Sequence, residues 1–101
     1  MNRGEIWLAE VGQKPRPVLV VTRSEVLDVR ALVTVAEVTT SMRGISAEVP
    51  LDPSVGLDHP SVVNCDGLHT VRQSSLTRHL TTVDDDAMRH VCWAIGYALG
   101  C

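Results

Sequence analysis

The sequence contains no phenylalanine, one tyrosine and two tryptophans, so its core is predicted to consist mainly of Val, Leu, Ile and Ala. The β-branched members of that set favour strands. A chain of 101 residues corresponds to a single domain, residues 1–101. Folding at this length buries only about 60 to 65% of the unfolded surface, so we expect modest stability, or stability that is shared with a partner.

The sequence also has no long apolar run. The N-terminal residues MNRGEIWLAEV carry charges within their apolar stretch, which argues against both a signal peptide and a membrane span. We therefore expect a cytoplasmic protein with no membrane partner.

The sequence has few cysteines, and their spacing matches no disulfide or metal-binding pattern. Cys65, Cys92 and Cys101 are an odd number, widely separated, without a CxxC or a zinc pattern. This pattern argues against a disulfide framework and against a metal site, and nothing else in the sequence indicates a cofactor.

Positive charge is not in excess, since the net charge is −3. Nucleic-acid binders use Lys and Arg to neutralise phosphates, so the total charge speaks against such a partner. The distribution leaves a local basic cleft open, because six cations lie near the ends of predicted strands: Lys14, Arg16, Arg23, Arg43, Arg72 and Arg78. A solvated surface of mixed charge is the alternative.

Short apolar runs separated by Gly, Pro, Asp and Ser predict strands. They are GEIWLAEV (4–11), VLVVT (18–22), ALVTVAEV (31–38), AEVPL (47–51), SVVNC (61–65) and LHTV (68–71). The segment RQSSLTRHLTTV (72–83) is compatible with a turn or with a further short strand.

The last residues predict an amphipathic helix. Apolar positions recur at helical spacing, at Met88, Val91, Cys92, Ile95 and Leu99. Thr82 or Asp84 can cap its N-terminus, and Gly100 ends it. Many short strands and one closing helix predict a mainly β fold, a small and strongly bent antiparallel barrel with the helix packed on it. Since side chains fill so small a barrel, any site must lie on its outer face or rim.

Arg16 is the first candidate for such a site. It lies between Pro15 and Pro17, which stiffen the backbone on both sides, and Lys14 precedes them. A guanidinium on a stiff backbone loses less entropy when it binds an anion. The alternative is a plain strand entry, at which no ladder donor is needed.

Two further polar segments follow predicted strands. VTTSMRG brings Thr39, Ser41 and Arg43 together, and hydroxyls beside an arginine can bind phosphate oxygens. In NCDGLH, the residues Asn64, Asp66 and His69 include a carboxylate and an imidazole, the usual proton carriers near neutral pH. An ordinary polar turn and an exposed histidine are the alternatives. Cys65 is not a candidate nucleophile, because alternation places it on the buried side.

The order of these motifs resembles the MazF/PemK family, which includes the Kid toxin and consists of sequence-selective endoribonucleases of toxin–antitoxin pairs. The resemblance covers nearly the whole chain. It rests on RGEIWLAEV, RPVLVVT, VTVAEVTTS and SVVNCDGLHTV, together with the closing helix. It implies one toxin domain over residues 1–101 with an SH3-like barrel fold.

The resemblance also implies site residues. Arg16 matches the family's active-site arginine, Thr39 its active-site threonine or serine, and Asp66 an aspartate of Kid-like members. Asn64 stands where those members have an arginine. The first connection, GQKPRP, is shorter than the usual loop and lacks the histidine that Kid-like proteins carry there.

The expected activity is metal-independent cleavage of single-stranded RNA through attack by the 2'-OH. Arg16 and Thr39 would stabilise the transition state, and Asp66 or His69 would move the proton. The RNA-binding residues would be Lys14, Ser41, Arg43, Asn64 and His69.

The resemblance further implies a homodimer and a MazE-like antitoxin. Two alternatives remain open at this point. One is a toxin of the same fold that poisons DNA gyrase without cleavage, with Trp93 and Tyr97 in the contact. The other is a degenerate protein that binds RNA or antitoxin only.

Overall fold

A computed structural model describes residues 1–10 and 13–101. The strands and the helix are β1 Glu5–Ala9, β2 Arg16–Val20, β3 Leu32–Thr39, β4 Glu48–Pro50, β5 Val62–Arg72, β6 Leu76–Thr82 and α1 Asp85–Leu99. Short 3-10 turns lie at Ser24–Val26, Pro53–Val55 and Gln73–Ser75. Val11 and Gly12, which belong to the predicted first strand and to the GQKPRP connection, lie outside the described residues.

The six strands form one antiparallel sheet in the order β4-β5-β3-β2-β1-β6. The mainly β fold with a C-terminal helix is therefore confirmed. The sheet is bent but not closed, and β4 and β6 are its edges within the described parts of the chain. β6 pairs with β1, so the segment 72–83 contains both a turn and a strand.

A bulge in β5 joins two segments that the sequence predicts as separate strands. On β3, Ala36 pairs with Leu68, and the next residue, Glu37, pairs with Asn64. Residues 65–67 of β5 are therefore extra residues without a partner on β3, which is the definition of a bulge. The Cys65 N–H donates instead to the Ala47 carbonyl at 2.8 Å.

The sheet buries apolar side chains on both faces. One face packs against α1, where the core includes Ile6, Leu19, Val63 and Val91. A second cluster lies on the opposite face and comprises Ala9, Val18, Val20, Leu27, Val33, Val35 and Leu76. The polar side chains of Arg16, Glu37 and His69 also lie on this face.

The helix has the predicted ends. The Asp84 Oδ1 accepts a hydrogen bond from the Ala87 N–H at 2.8 Å, and Gly100 takes a left-handed conformation with φ 76°. Cys92 and Leu99 of the predicted apolar stripe are exposed, so the buried face is narrower than the periodicity indicates. Within the part of the chain that the structure describes, no helix is long and apolar enough to span a membrane.

Candidate functional site

An open groove of about 260 Å3 lies on the sheet face opposite α1. Side chains alternate along a strand, so every second residue of β2 and β3 points to this face. On β5, beyond the bulge, His69 and Val71 pair with Val35 and Val33 and point the same way. The groove is lined by Ala9, Arg16, Val18, Val35, Glu37, His69 and Val71. Its floor is apolar, and a cation, a carboxylate and an imidazole stand around it.

Arg16 is the first residue of β2 and pairs with Ala9 of β1. Its side chain is exposed at the groove. Pro15 and Pro17 flank it, and because a proline ring fixes φ, the backbone that carries the guanidinium has little freedom. A guanidinium held in this way presents its planar fork of donors to an anion that enters the groove.

His69 lies across the groove on β5 and contacts Glu37 of β3. The distance between His69 Nε2 and Glu37 Oε2 is 3.0 Å, and the two side chains are 54% and 40% exposed. An ionised carboxylate can only accept a hydrogen bond, so Nε2 carries the donated proton. The pair therefore fixes the ring while both groups remain accessible to a ligand.

Glu37 is the residue that sequence reasoning missed. In VTVAEV it has the pattern of an ordinary polar residue in an alternating strand. Its spacing from Val33 and Val35 places it on their face, next to the position of Arg16, and this was the available signal.

Gly67 lies directly over the Glu37 carboxylate. A Cβ at position 67 would overlap Glu37 Oε2 and would lie 3.0 Å from Glu37 Cδ and 3.1 Å from Asn64 Nδ2. Absence of a side chain at this residue of the bulge is thus what leaves room for the carboxylate to reach His69.

Thr39 follows Glu37 by two residues and lies on the same face. The pairing of β2 with β3 runs from Val18 to Val20, and its continuation would place Thr39 across from Arg16. Thr39 is not among the residues that line the groove. The Thr39 Oγ1 accepts a hydrogen bond from the Ser41 N–H at 3.1 Å, which holds the exposed Ser41 near the strand end.

Asn64 and Asp66 stand on the other side of Glu37, at the bulge. Asn64 pairs in register with Glu37, and its Oδ1 accepts a hydrogen bond from the Asp66 N–H at 3.1 Å. Asp66 is exposed and is not among the residues that line the groove, whereas His69 is. Lys14, also exposed, precedes Arg16 by two residues.

Arg43, in the loop between β3 and β4, binds a buried carboxylate. Its Nε lies 3.5 Å from the Oε2 of Glu48, whose side chain is only 3% exposed. The Glu48 Oε1 also accepts hydrogen bonds from the N–H groups of Arg43 and Gly44, at 2.8 and 2.9 Å. Burial acts to raise the pKa of Glu48, but these hydrogen bonds outweigh it and lower the pKa. Arg43 therefore takes part in holding the loop between β3 and β4.

Cys65 is fully buried, as alternation predicts. Burial, and to a lesser extent the charge of Asp66, raises the pKa of the Cys65 thiol to about 11. A thiol that stays protonated and has no solvent access is not a nucleophile. Among the residues that the structure describes, no three His, Cys, Asp or Glu side chains form a group that could hold a metal ion.

The family described as PemK-like, MazF-like toxin of type II toxin-antitoxin system matches residues 2–99. Over 67 residues the chain is 46% identical to Endoribonuclease MazF3 of Mycobacterium tuberculosis, a match that covers 66% of this chain and 65% of MazF3. The aligned region is thus slightly less than two thirds of that relative's length. Probable endoribonuclease MazF2 of the same species is 35% identical over 103 residues, with 100% of both chains covered.

The fold agrees with these matches. A solved structure of an endoribonuclease in complex with its cognate antitoxin, from a mycobacterial species, superposes with a TM-score of 0.92 at 28% identity, over 99% of this chain and 95% of that chain. The sequence match extends over nearly every residue, and the groove carries the arginine that the resemblance singles out. The chain belongs to the PemK-like, MazF-like toxins of type II toxin–antitoxin systems.

Proposed function

We propose that this chain is the toxin of a type II pair and cleaves single-stranded RNA as a metal-independent, sequence-selective endoribonuclease. The observation that carries the proposal is the groove, in which Arg16 and His69 flank a common apolar floor. The relative MazF3 is named an endoribonuclease and MazF2 a probable endoribonuclease, which supports RNA as the substrate and favours cleavage over gyrase binding.

The reaction begins with a proton transfer. The 2'-hydroxyl of the RNA gives its proton to an acceptor and its oxygen forms a bond to the adjacent phosphorus. The bond from phosphorus to the 5'-oxygen then breaks, and that oxygen takes up a proton, either the one that the acceptor received or one from water. The products are a 2',3'-cyclic phosphate, or a 3'-phosphate after addition of water, and a 5'-hydroxyl.

Arg16 and Thr39 stabilise the charge that develops on the phosphoryl oxygens. A guanidinium binds two such oxygens at once, and a threonine hydroxyl donates one further hydrogen bond. Donors that are already in place cost little reorganisation as the charge appears. Arginine is always protonated, so Arg16 is not the base.

His69 is the favoured proton carrier, because it lines the same groove as Arg16 whereas Asp66 stands at the bulge. Asp66 remains the second candidate. Lys14 and Ser41 act as secondary donors to the RNA backbone, and Asn64 and Arg43 contact nucleotides further along the strand.

The proposal includes two partners. The cognate antitoxin, a MazE-like protein, occupies the RNA groove through an acidic segment that folds on binding. The structural relative described with its cognate antitoxin supports this partner. A second copy of the chain completes a homodimer, which adds buried surface to a domain of only 101 residues. The activity takes place in the cytoplasm, where the RNA substrate is present.

The test is incubation of the purified protein with total RNA in EDTA, followed by sequencing of the 5' ends. Discrete fragments with 5'-hydroxyl ends support the proposal, whereas intact RNA together with inhibited DNA supercoiling would support the gyrase alternative. A matched pair of oligonucleotides, one with a single 2'-deoxy residue at the cut site, tests the chemistry. Equal cleavage of both would exclude attack by the 2'-OH. Light scattering on the same sample measures whether the protein is a dimer.

A further inference from the structure

We infer that Glu37 is a positioning residue for His69, and that the missing side chain of Gly67 is what allows it to be one. The kinetic part of this inference rests on the proposed function. The structural part, a carboxylate that orients the ring and depends on a glycine, stands on contacts within this chain.

Glu37 is placed by the central part of the sheet. Its strand, β3, is hydrogen-bonded to β2 on one side and to β5 on the other. Glu37 pairs in register with Val18 of β2 and with Asn64 of β5. Both neighbouring strands fix the backbone, so the carboxylate starts from a rigid position. A side chain on a paired central strand holds a partner more accurately than one on a loop.

The contact to His69 assigns a separate task to each ring nitrogen. Nε2 donates to the Glu37 Oε2 at 3.0 Å, so that in the neutral ring Nδ1 is the nitrogen with a free lone pair. Nδ1 is thus the atom that accepts the 2'-hydroxyl proton. As it does so the ring becomes cationic, and the adjacent carboxylate stabilises that charge.

Gly67 couples to this pair through space. Its φ does not lie in the left-handed region, so its own backbone does not require glycine. A methyl group there would overlap the end of the Glu37 side chain, which is flexible and can rotate away. Gly67→Ala is therefore expected to keep the fold and to move the carboxylate from His69. It displaces the acid without changing either member of the pair.

The experiment compares the wild-type protein with Glu37→Gln and Gly67→Ala, and uses Glu25→Gln as the control for loss of one exposed carboxylate elsewhere. The first measurement needs no RNA. It is the 15N and 1H resonance of the His69 Nε2–H group at a pH where the ring is neutral. A proton donated to a carboxylate resonates downfield, and we expect an upfield move in both groove variants and none in Glu25→Gln.

The second measurement is steady-state cleavage of a short RNA. Both groove variants are expected to lose about tenfold to a hundredfold in kcat with KM changed less than threefold, because the acceptor is disturbed and RNA binding is not. Thermal unfolding checks that each variant is folded. The expected order is a larger loss in Glu37→Gln than in Gly67→Ala, since displacement leaves the charge nearby.

The possible outcomes support or overturn the inference as follows. An unchanged His69 resonance in both groove variants would overturn the positioning role, as would wild-type kcat in Glu37→Gln. If the resonance moves in both and only KM rises, Glu37 acts in binding and the inference is wrong. If the resonance moves as expected but the wild-type protein cuts no RNA, the proposed function fails while the Glu37–His69–Gly67 arrangement stands.

Discussion

The groove and the loop between β3 and β4 each contain a glutamate that contacts one basic side chain, yet the hydrogen-bonding capacity of the two carboxylates is filled to different degrees. Glu48 in the loop is 3% exposed and accepts hydrogen bonds from two backbone N–H groups as well as the Arg43 side chain. Glu37 in the groove is 40% exposed and accepts a hydrogen bond from the His69 side chain. A carboxylate that organises structure has its acceptor sites filled by the backbone, whereas one that serves chemistry keeps capacity and solvent access.

The two glutamates are therefore expected to contribute to different properties of the protein, Glu37 to activity and Glu48 to stability. Substitutions in the groove are expected to change activity with little effect on stability, and substitutions at Glu48 are expected to do the reverse. The two regions are adjacent in sequence, since β3 carries Glu37 and ends at Thr39, where the loop begins.

The largest expected effect is that of Arg16→Ala on cleavage. Removing a preorganised donor to a developing oxyanion costs roughly a hundredfold or more in rate, about 2.7 kcal/mol of transition-state stabilisation. Single-turnover cleavage measures it, and the denaturation midpoint is expected to stay unchanged because Arg16 is exposed. Arg89→Ala, on α1, is the matched control. If Arg16→Ala keeps more than a third of the wild-type rate, Arg16 does not stabilise the transition state and serves only as the first residue of β2.

The second effect is that of Glu48→Gln on stability. The amide keeps the shape but removes the charge that two backbone N–H groups and Arg43 bind, so the loop loses its charge-assisted hydrogen bonds. We expect a lower urea midpoint and, for the fraction that remains folded, a rate within about threefold of wild type. A variant with the wild-type midpoint but no activity would reverse the assignment of the two glutamates.

The third effect is a loss of stability in acid. The lowered pKa of Glu48 means that its contribution is fully present above the ordinary value of 4.5 and disappears as the pH falls through the lower, folded-state value. Urea midpoints measured from pH 7 down to pH 3 are expected to fall below about pH 4.5, and to fall less steeply in Glu48→Gln. Parallel curves for the two proteins would show that Glu48 is not responsible.

The smallest expected effect is that of Asp84→Ala on stability, and it sets a scale for the loss expected in Glu48→Gln. The Asp84 side chain accepts one hydrogen bond, from the Ala87 N–H at 2.8 Å, at the exposed start of α1. Asp84→Ala is expected to cost about 1 kcal/mol, the usual value of a helix N-cap. Since Glu48 binds more donors and is buried, its substitution should lower the midpoint further than this one. The opposite order would mean that the loop contributes little to stability.

Much of the fold could be predicted from local patterns. The apolar runs gave β1, β2, β3 and β4 closely, because alternation and strand length are local properties. The ends of α1 followed from the capping residues Asp84 and Gly100. Arg16 and His69 were predicted as site residues and lie in one groove, although their roles in the reaction remain proposals.

What the sequence could not reveal depends on long-range pairing. Gly67 looked like a turn between two strands, but pairing with β3 makes residues 62–72 one strand with a bulge. Segment 72–83 becomes partly a strand because β1 offers an edge to it. Glu48 lies in the predicted strand AEVPL, and its burial depends on hydrogen bonds from residues 43 and 44 that the strand pattern does not indicate. Alternation places Glu37 on the face of Val33 and Val35, but its contact with His69 follows only from the pairing of β3 with β5.

Gly67 also restricts the order in which substitutions can accumulate at the groove. While position 37 carries a side chain as long as glutamate, any residue other than glycine at position 67 competes with it for the same space. If position 37 first changes to alanine, most of that space becomes free, and a methyl group at position 67 requires only a small shift of the Asn64 amide, 3.1 Å away. Two residues 30 positions apart are therefore expected to vary as a pair, with the glutamate leaving before the glycine.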